Sequence, residues 1–386
     1  MVRVIDPLAT PLRALAFAGA LGGAATLASG SVQAAQDYEV WALDQGTALI
    51  HIYNAELEEV DRIDLGAEGI EVPHMVDFTS DHSYAFVANA GSNDVTVIRT
   101  EDREIVAQLD TGPRTHMAAV APDDSHALVA VIGSPDEQWD GKMVELAIDL
   151  DEERFELGRS LTIADDPLFQ EQQDAFSDSG PICQDFTADS RHAYITLGPG
   201  LGDGGLVVLD TESFELIRAF GPDTLQVNCG TILTQDERHM IVNGGGPETG
   251  VWYALDVETH EVVHQADSEG LDAHGVWAVP GGNEIWMVNR VTDNAIVIDS
   301  ESLEIIDEMD FVGETPDIIG MSPDGERAFV SLRGPNPVTA AHVATGSTPG
   351  FAVIDVNGRE LLEIVQPNPE DAESDFHGIG VRFIHD

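Results

Sequence analysis

A four-part unit recurs along this chain at intervals of about 40–50 residues, and that periodicity limits the possible folds more than any other feature. Each unit opens with a short apolar run that ends in an acidic turn. The openings read "PHMVDFTSD" from Pro73, "THMAAVAPDD" from Thr115, "ICQDFTADS" from Ile182, "NCGTILTQDE" from Asn228, "AHGVWAVPGG" from Ala273 and "PDIIGMSPDG" from Pro316. A second run follows each time ("AFVANA", "HALVAVIG", "HMIVNGG"), then a third ("GLVVLD", "NAIVIDSES", "GFAVIDVNG"), then a more polar fourth ("EIVAQLD", "EVVHQAD", "EIIDEMD"). The runs are β-branched and alternating, with Gly, Asp and Asn in the turns, which is the pattern of strands rather than helices. Six such units fill the stretch from about Ile70 to Pro367. Residues 37–66 supply three further runs, and the C-terminal "DFHGIGVRFIHD" supplies the missing first one. The expectation is an all-β, seven-bladed β-propeller, closed by a C-terminal strand that pairs with the N-terminal blade and leaves no sheet edge open.

Composition narrows the setting. The 386 residues carry 70 Asp plus Glu against 17 Lys plus Arg, a formal charge of -53. That balance argues against nucleic acid, whose phosphates require clustered Lys and Arg, and against anionic membrane surfaces. At low ionic strength such a surface repels itself, so the composition points to an extracytoplasmic protein of a high-salt organism. Residues 1–34 read as a cleaved signal peptide. Arg3 and Arg13 precede and enter a short run rich in Ala and Gly, and "VQA" before Ala35 fits the small-residue cleavage rule. The mature domain is then 35–386, periplasmic or extracellular and expected to be monomeric, with no later segment apolar and long enough to span a bilayer. The two cysteines, Cys183 and Cys229, admit a disulfide, two free thiols or metal ligation.

The "SPDG"-type turns, the strands "AFVANA" and "MIVNGG", and the strands "VVLDTES" and "AIVIDSES" resemble the YVTN family of β-propeller repeats, a WD40-like pattern, over nearly all of residues 35–386. The blade pattern is more distantly similar to the propellers of nitrous oxide reductase and haem-dependent nitrite reductase. The resemblance implies the propeller fold. It implies little about activity, because one fold hosts many functions.

Alignment of the blades on the acidic turn, followed by a step back of seven residues, yields a series of ligand-type side chains. They are His74, His116, Cys229, His274 and Asp317, with His377 in the closing blade and Ile182 beside Cys183 in the remaining one. The first strand of every blade lines the central channel, so these residues should converge on one axis at one mouth. Imidazole, thiolate and carboxylate are ligands for copper and zinc. A subset such as His74, His116 and His377, from neighbouring blades, would be the natural metal set. A polar small-molecule pocket and histidines that only hydrogen-bond neighbouring loops are the other readings. His82, His126, His192 and His239 precede second strands and are expected in solvent at the opposite face.

Connections at 133–142, 164–181, 197–205, 244–250 and 333–350 are long and all open on the mouth side, where loops carry function. Arg290 and Arg333 end second strands there, and His342 lies in the last of these loops. The two arginines could hold an anion in bidentate fashion or pair with nearby carboxylates. No motif of nucleophilic hydrolysis, phosphate binding or dinucleotide binding is present, so whether any reaction is catalysed stays open. Two functional readings follow. One is an exported scaffold that binds a small ligand or protein at the long-loop face through residues such as Arg290, Arg333 and His342. The other is a copper- or zinc-binding, or copper-dependent redox, protein built on the His/Cys/Asp ring.

The charge reading has a direct test. Raising NaCl from about 0.1 M to above 1 M shortens the Debye length from about 10 Å to about 3 Å or less, so the melting temperature should climb steadily over that range. A flat or falling curve would contradict adaptation to salt.

Overall fold

In the computed structural model, which describes residues 37–198, 204–341 and 343–384, the chain forms seven four-stranded antiparallel sheets. Residues 1–34, read as a signal peptide, fall outside the described residues, and so does His342. Six blades run in simple up-and-down order from an inner to an outer strand, with inner strands Pro73–Phe78, Thr115–Val120, Gly180–Phe186, Thr231–Leu233, Ala273–Ala278 and Pro316–Met321. The seventh blade is composite. Its inner strand is Phe376–Phe383, which pairs antiparallel with Tyr38–Asp44 (Val40 opposite Val381, Trp41 opposite Gly380). The expected closure of the ring by the C-terminal strand is therefore present.

Inner, second and third strands are apolar on both faces because each sheet is packed between two neighbours. Outer strands such as Glu59–Asp64 and Glu360–Val365 are mostly exposed or half-buried. The core is accordingly a set of layers between blades. One layer joins Trp41, Leu43 and Ile52 of the composite blade to Ala85, Val87 and Ile98 of the next. Another joins Val40, Tyr53 and Phe376 to Phe329, Phe351 and Val353 of the last blade in the chain. Trp41, Trp252 and Trp286 are fully buried in these layers, each worth roughly 4–6 kcal/mol of gross transfer free energy.

Polar pins supplement the apolar layers. Asp77 Oδ2 accepts a hydrogen bond from the Val120 amide of the next blade at 2.8 Å, and Asp185 Oδ2 accepts one from Leu233 at 2.7 Å. Both residues are half-buried, with their carboxyls shielded from solvent. Burial raises Asp77 to about 6 and Asp185 to about 7, against the amide bonds that lower them.

Local departures from the sequence expectation have physical causes. The 164–181 connection contains a helix, Pro167–Gln172, capped by Asp166, whose side chain accepts from the Leu168 and Phe169 amides while its second oxygen accepts from Leu216. The 244–250 connection is a continuation of two strands, with Gly246 paired to Thr249, rather than an open loop. The histidines expected in solvent are at least partly covered. His82 stacks on Phe383 at 4.4 Å, His126 meets Phe186 edge-on, His192 packs on His260, and His239 is buried. Imidazole there extends the apolar contact between adjacent blades.

Ring closure depends on Phe376–Phe383. Deleting residues 376–386 should expose the edges of Tyr38–Asp44 and its neighbours, lower the melting temperature sharply and drive aggregation visible by light scattering. A truncated chain that stays monomeric with an unchanged transition would contradict it.

Candidate functional site at the channel mouth

His74, His116, His274, Asp317 and His377 each occupy the second position of an inner strand. In each of these five blades the ladder to the next strand slips at that point. Pro73 faces Asn89 and Met75 faces Ala88, which leaves His74 as the extra residue, and His116 is the extra residue between Thr115 and Met117. The same one-residue excess occurs around His274, Asp317 and His377, and around Ile182 and Cys183 in a sixth blade. A β-bulge re-aims the side chain it carries. Here it turns equivalent residues toward the axis, where they meet. Gly275 and Gly378 follow two of the bulged histidines. A Cβ at Gly378 would lie 2.5 Å from the His74 carbonyl, and one at Gly275 would lie 2.2 Å from the Asp317 carbonyl. Only glycine permits this approach of neighbouring inner strands.

The convergence is tight. His74 and His377 stack at 3.6 Å between ring centres, and His74 meets His116 edge-on at 4.4 Å. The Nε2 atoms of His74 and His116 lie 3.0 Å apart. His274 Nδ1 is 3.1 Å from Asp317 Oδ1, in an orientation that makes no hydrogen bond, and His377 Nε2 is 3.7 Å from Asp317 Oδ2. Among the described residues, His274, Asp317 and His377 are the three whose donor atoms all lie within 4.8 Å of one another. That trio differs from the sequence-derived set of His74, His116 and His377. The reason is that His377 lies between two subclusters, one made by His74 and His116 and the other by His274 and Asp317.

Beneath the histidines lies a buried ion network. Arg333 donates from Nη1 to Asp317 Oδ2 at 2.8 Å and from Nε to Asp375 Oδ1 at 2.8 Å. Arg290 donates from Nε to Asp272 Oδ2 at 2.7 Å and from Nη1 to Asp317 Oδ1 at 3.3 Å. Of the two sequence readings for these arginines, carboxylate pairing is the one their geometry displays. Asp375 also accepts from the amides of Gly334 and Val338 and from Gln45 Nε2, and Arg333 Nη2 donates to the Thr339 carbonyl. The 333–341 segment is thereby drawn over the mouth. Removing one partner of such a buried pair typically costs about 3–5 kcal/mol.

Protonation follows from burial. Burial lowers His116 to about 4, against the Ile182 carbonyl and Asp317, which raise it. Burial lowers His274 to about 3, reinforced by Arg290 and opposed by Asp317. Burial also holds His74 and His377 well below the ordinary range, with neighbouring histidines and Arg333 adding to it and, at His377, Asp317 opposing. Burial alone would push Asp317 up. The rings of His377 and His274 and the guanidiniums of Arg290 and Arg333 outweigh it and keep the carboxylate ionised. Cys183 and Cys229 are free and buried, and burial pushes the Cys183 thiol up to about 12 and Cys229 well above its usual value. Neither thiol has thiolate character at neutral pH, in keeping with the free-thiol reading among the three the sequence allowed.

A cavity of about 830 Å³ opens over this cluster. His74, His116, Cys229, His274, Arg290 and His377 form its polar floor, and Val72, Ile132, Ile182 and Val338 are among its apolar walls. Gln45, Asp272 and Asp375 complete the site and were not singled out from sequence. A signal for two of them exists. Asp272–Gly275 reads "DAHG" and Asp375–Gly378 reads "DFHG", so each bulged His-Gly pair carries an aspartate two residues before it. Gln45 has no such signal, since it sits in a turn outside the repeat register.

No protein-family model and no curated protein matches the chain. Solved structures resemble it in fold. Hydrazine synthase of Kuenenia stuttgartiensis aligns with a TM-score of 0.61 and 16% identity over 81% of this chain and 90% of that one. The dihydro-heme d1 dehydrogenase NirN, in complex with DHE, aligns with a TM-score of 0.55 and 13% identity over 88% of this chain and 74% of that one. Identities this low establish a shared propeller fold and nothing more specific. The YVTN resemblance accordingly remains a likeness of blade pattern.

The buried neutral histidines set a pH dependence. A histidine lowered in the folded state contributes stability above the unfolded value of 6.5, and that contribution is lost as pH falls toward the folded value. Asp77 and Asp185, raised when folded, act in the opposite direction over the same window. Four axial histidines against two aspartates leave about 2 protons in favour of the unfolded chain, or roughly 2–3 kcal/mol per pH unit between about pH 6 and 5. Calorimetry at constant high salt should therefore show the melting temperature falling from pH 7.5 to 5.5. A constant or rising value would contradict the neutral buried cluster.

Proposed function

We propose that the chain is an exported binding scaffold whose small-molecule or ionic ligand occupies the axial cavity at the channel mouth. The observation that carries this reading is the cavity of about 830 Å³ centred on the converged ring residues. Its volume is in the range of ligand pockets, and its make-up, apolar walls with a few converging polar groups, is that of a site that orients a bound molecule. The ion network braces the floor, and the 333–341 segment, tied to Asp375 and Arg333, forms part of the roof. The structural neighbour NirN is named as a complex with DHE, and a propeller that holds a ligand is consistent with this role. The acidic composition and the signal-like leader support a setting outside the cytoplasm, in high salt.

Filling the cavity tests the proposal. Ala90 and Ala341 line it from different connections. Fragments that show saturation-transfer signals with the wild-type protein should lose them with Ala90→Trp and with Ala341→Trp, while circular dichroism and the melting temperature stay close to wild type. Identical fragment sets for the wild type and both variants would place binding elsewhere and overturn the reading.

A further inference from the structure

We propose that the axial imidazoles bind one first-row transition-metal ion of borderline softness, Cu²⁺ or Zn²⁺, with Nε2 of His74 and His116 as the preset ligand pair. This rests on the reading of the same cavity as a binding site and names the chemistry of what it holds.

The proton positions lead to it. His74 Nδ1 lies 2.8 Å from Gln45 Oε1. That amide has only one workable orientation, because its Nε2 donates to Asp375 Oδ2 at 2.8 Å and to Thr339 Oγ1 at 3.1 Å. Oε1 is therefore the acceptor, and His74 donates from Nδ1. His116 Nδ1 faces the Ile182 carbonyl at 2.9 Å, and His377 Nδ1 faces the His74 carbonyl at 3.0 Å. A carbonyl oxygen only accepts, so both of these rings donate from Nδ1 as well. In a neutral imidazole the other nitrogen is then a bare lone pair. Three Nε2 atoms of one tautomer line one cavity, each held by an oxygen acceptor on the far side of its ring. Metal-binding histidines are oriented in this way, by donation of the second ring N–H to a carbonyl or similar acceptor.

Two of these lone pairs face each other at 3.0 Å. With both Nδ1–H groups committed elsewhere, the two Nε2 atoms are left to share an electrophile. Nitrogens that share an ion at about 2.0–2.1 Å lie about 2.9–3.4 Å apart when they take adjacent coordination positions. The observed separation of 3.0 Å lies within that range. In the same cavity floor, His274 Nδ1 lies 3.1 Å from Asp317 Oδ1 and has no hydrogen-bond partner. The charge balance accepts a cation. Asp272, Asp317 and Asp375 against Arg290 and Arg333, three negative charges against two positive, leave the buried network at a formal −1.

The alternative trio of His274, Asp317 and His377 is less suited. Both Asp317 oxygens already receive guanidinium N–H groups, at 3.3 and 2.8 Å, and an ion bound there would lie against two arginines. Imidazole donors favour copper and zinc over the hard cations that an acidic surface attracts.

The test uses chelator-treated wild-type protein titrated with Cu²⁺ in high salt and excess Mg²⁺, which occupies surface carboxylates. One tight equivalent is expected by calorimetry, with nitrogen superhyperfine structure from imidazole in the electron paramagnetic resonance spectrum. His74→Gln with His116→Gln should weaken binding by more than about 100-fold and remove that structure, whereas His264→Gln, on an outer strand, should retain both. A wild-type spectrum with oxygen-only coordination would overturn the proposal whatever the variants do. Loss of the site in His274→Gln, with retention in the double variant, would also overturn it, by moving the ion to the other trio. The binding-scaffold reading fails separately. If copper is not held but Ala90→Trp still abolishes fragment binding, the cavity is a ligand site without a metal.

Discussion

The pairing of Phe376–Phe383 with Tyr38–Asp44 is the contact on which the rest of the molecule depends. Each blade is a small sheet that buries its faces only against its neighbours, so an open row of blades would leave two apolar faces and two strand edges in solvent. Joining the chain ends converts that row into a ring. The apolar layer from Val40 and Phe376 to Phe329 and Phe351 exists only in the closed form. The same strand carries His377 to the axis, so the junction that completes the fold also completes the site.

Closure brings the inner strands together, and β-bulges decide what they present there. At His74, His116, His274, Asp317 and His377 the extra residue turns a side chain toward the axis. Charged and polar groups packed this densely would be destabilising if left unpaired. Arg290 and Arg333 prevent that by bridging Asp272, Asp317 and Asp375. The result is a floor that is braced by ion pairs, nearly charge-balanced and lined with neutral imidazoles. In so acidic a chain, the placement of two of its few cations here indicates how much the axial carboxylates require them.

The blade number, the composite blade and the ring of second-position residues were legible in the sequence because a propeller repeats its register. A residue one step into "PHMVDF" and one into "FHGIGV" must occupy equivalent places once the blades are aligned. What was not legible lies outside that register. Gln45 is in a turn, and its role depends on a contact with His74 and Asp375 across the closure. The helix Pro167–Gln172 interrupts a connection that has no counterpart in other blades. The burial of His82, His126, His192 and His239 arises from packing between neighbouring blades, which the sequence of one blade does not encode. The split of the ring into a His74–His116 pair and a His274–Asp317–His377 trio is likewise a matter of side-chain reach rather than of register.

The central proposal is that ring closure forms an ion-binding axis from residues that no single blade contains. Anomalous diffraction at the zinc or copper edge, on crystals of residues 35–386 grown with the metal, measures this directly. The account predicts one strong peak on the channel axis, within bonding distance of Nε2 of both His74 and His116. A map with peaks only at surface carboxylates, or with the axial peak on Asp317, would contradict it.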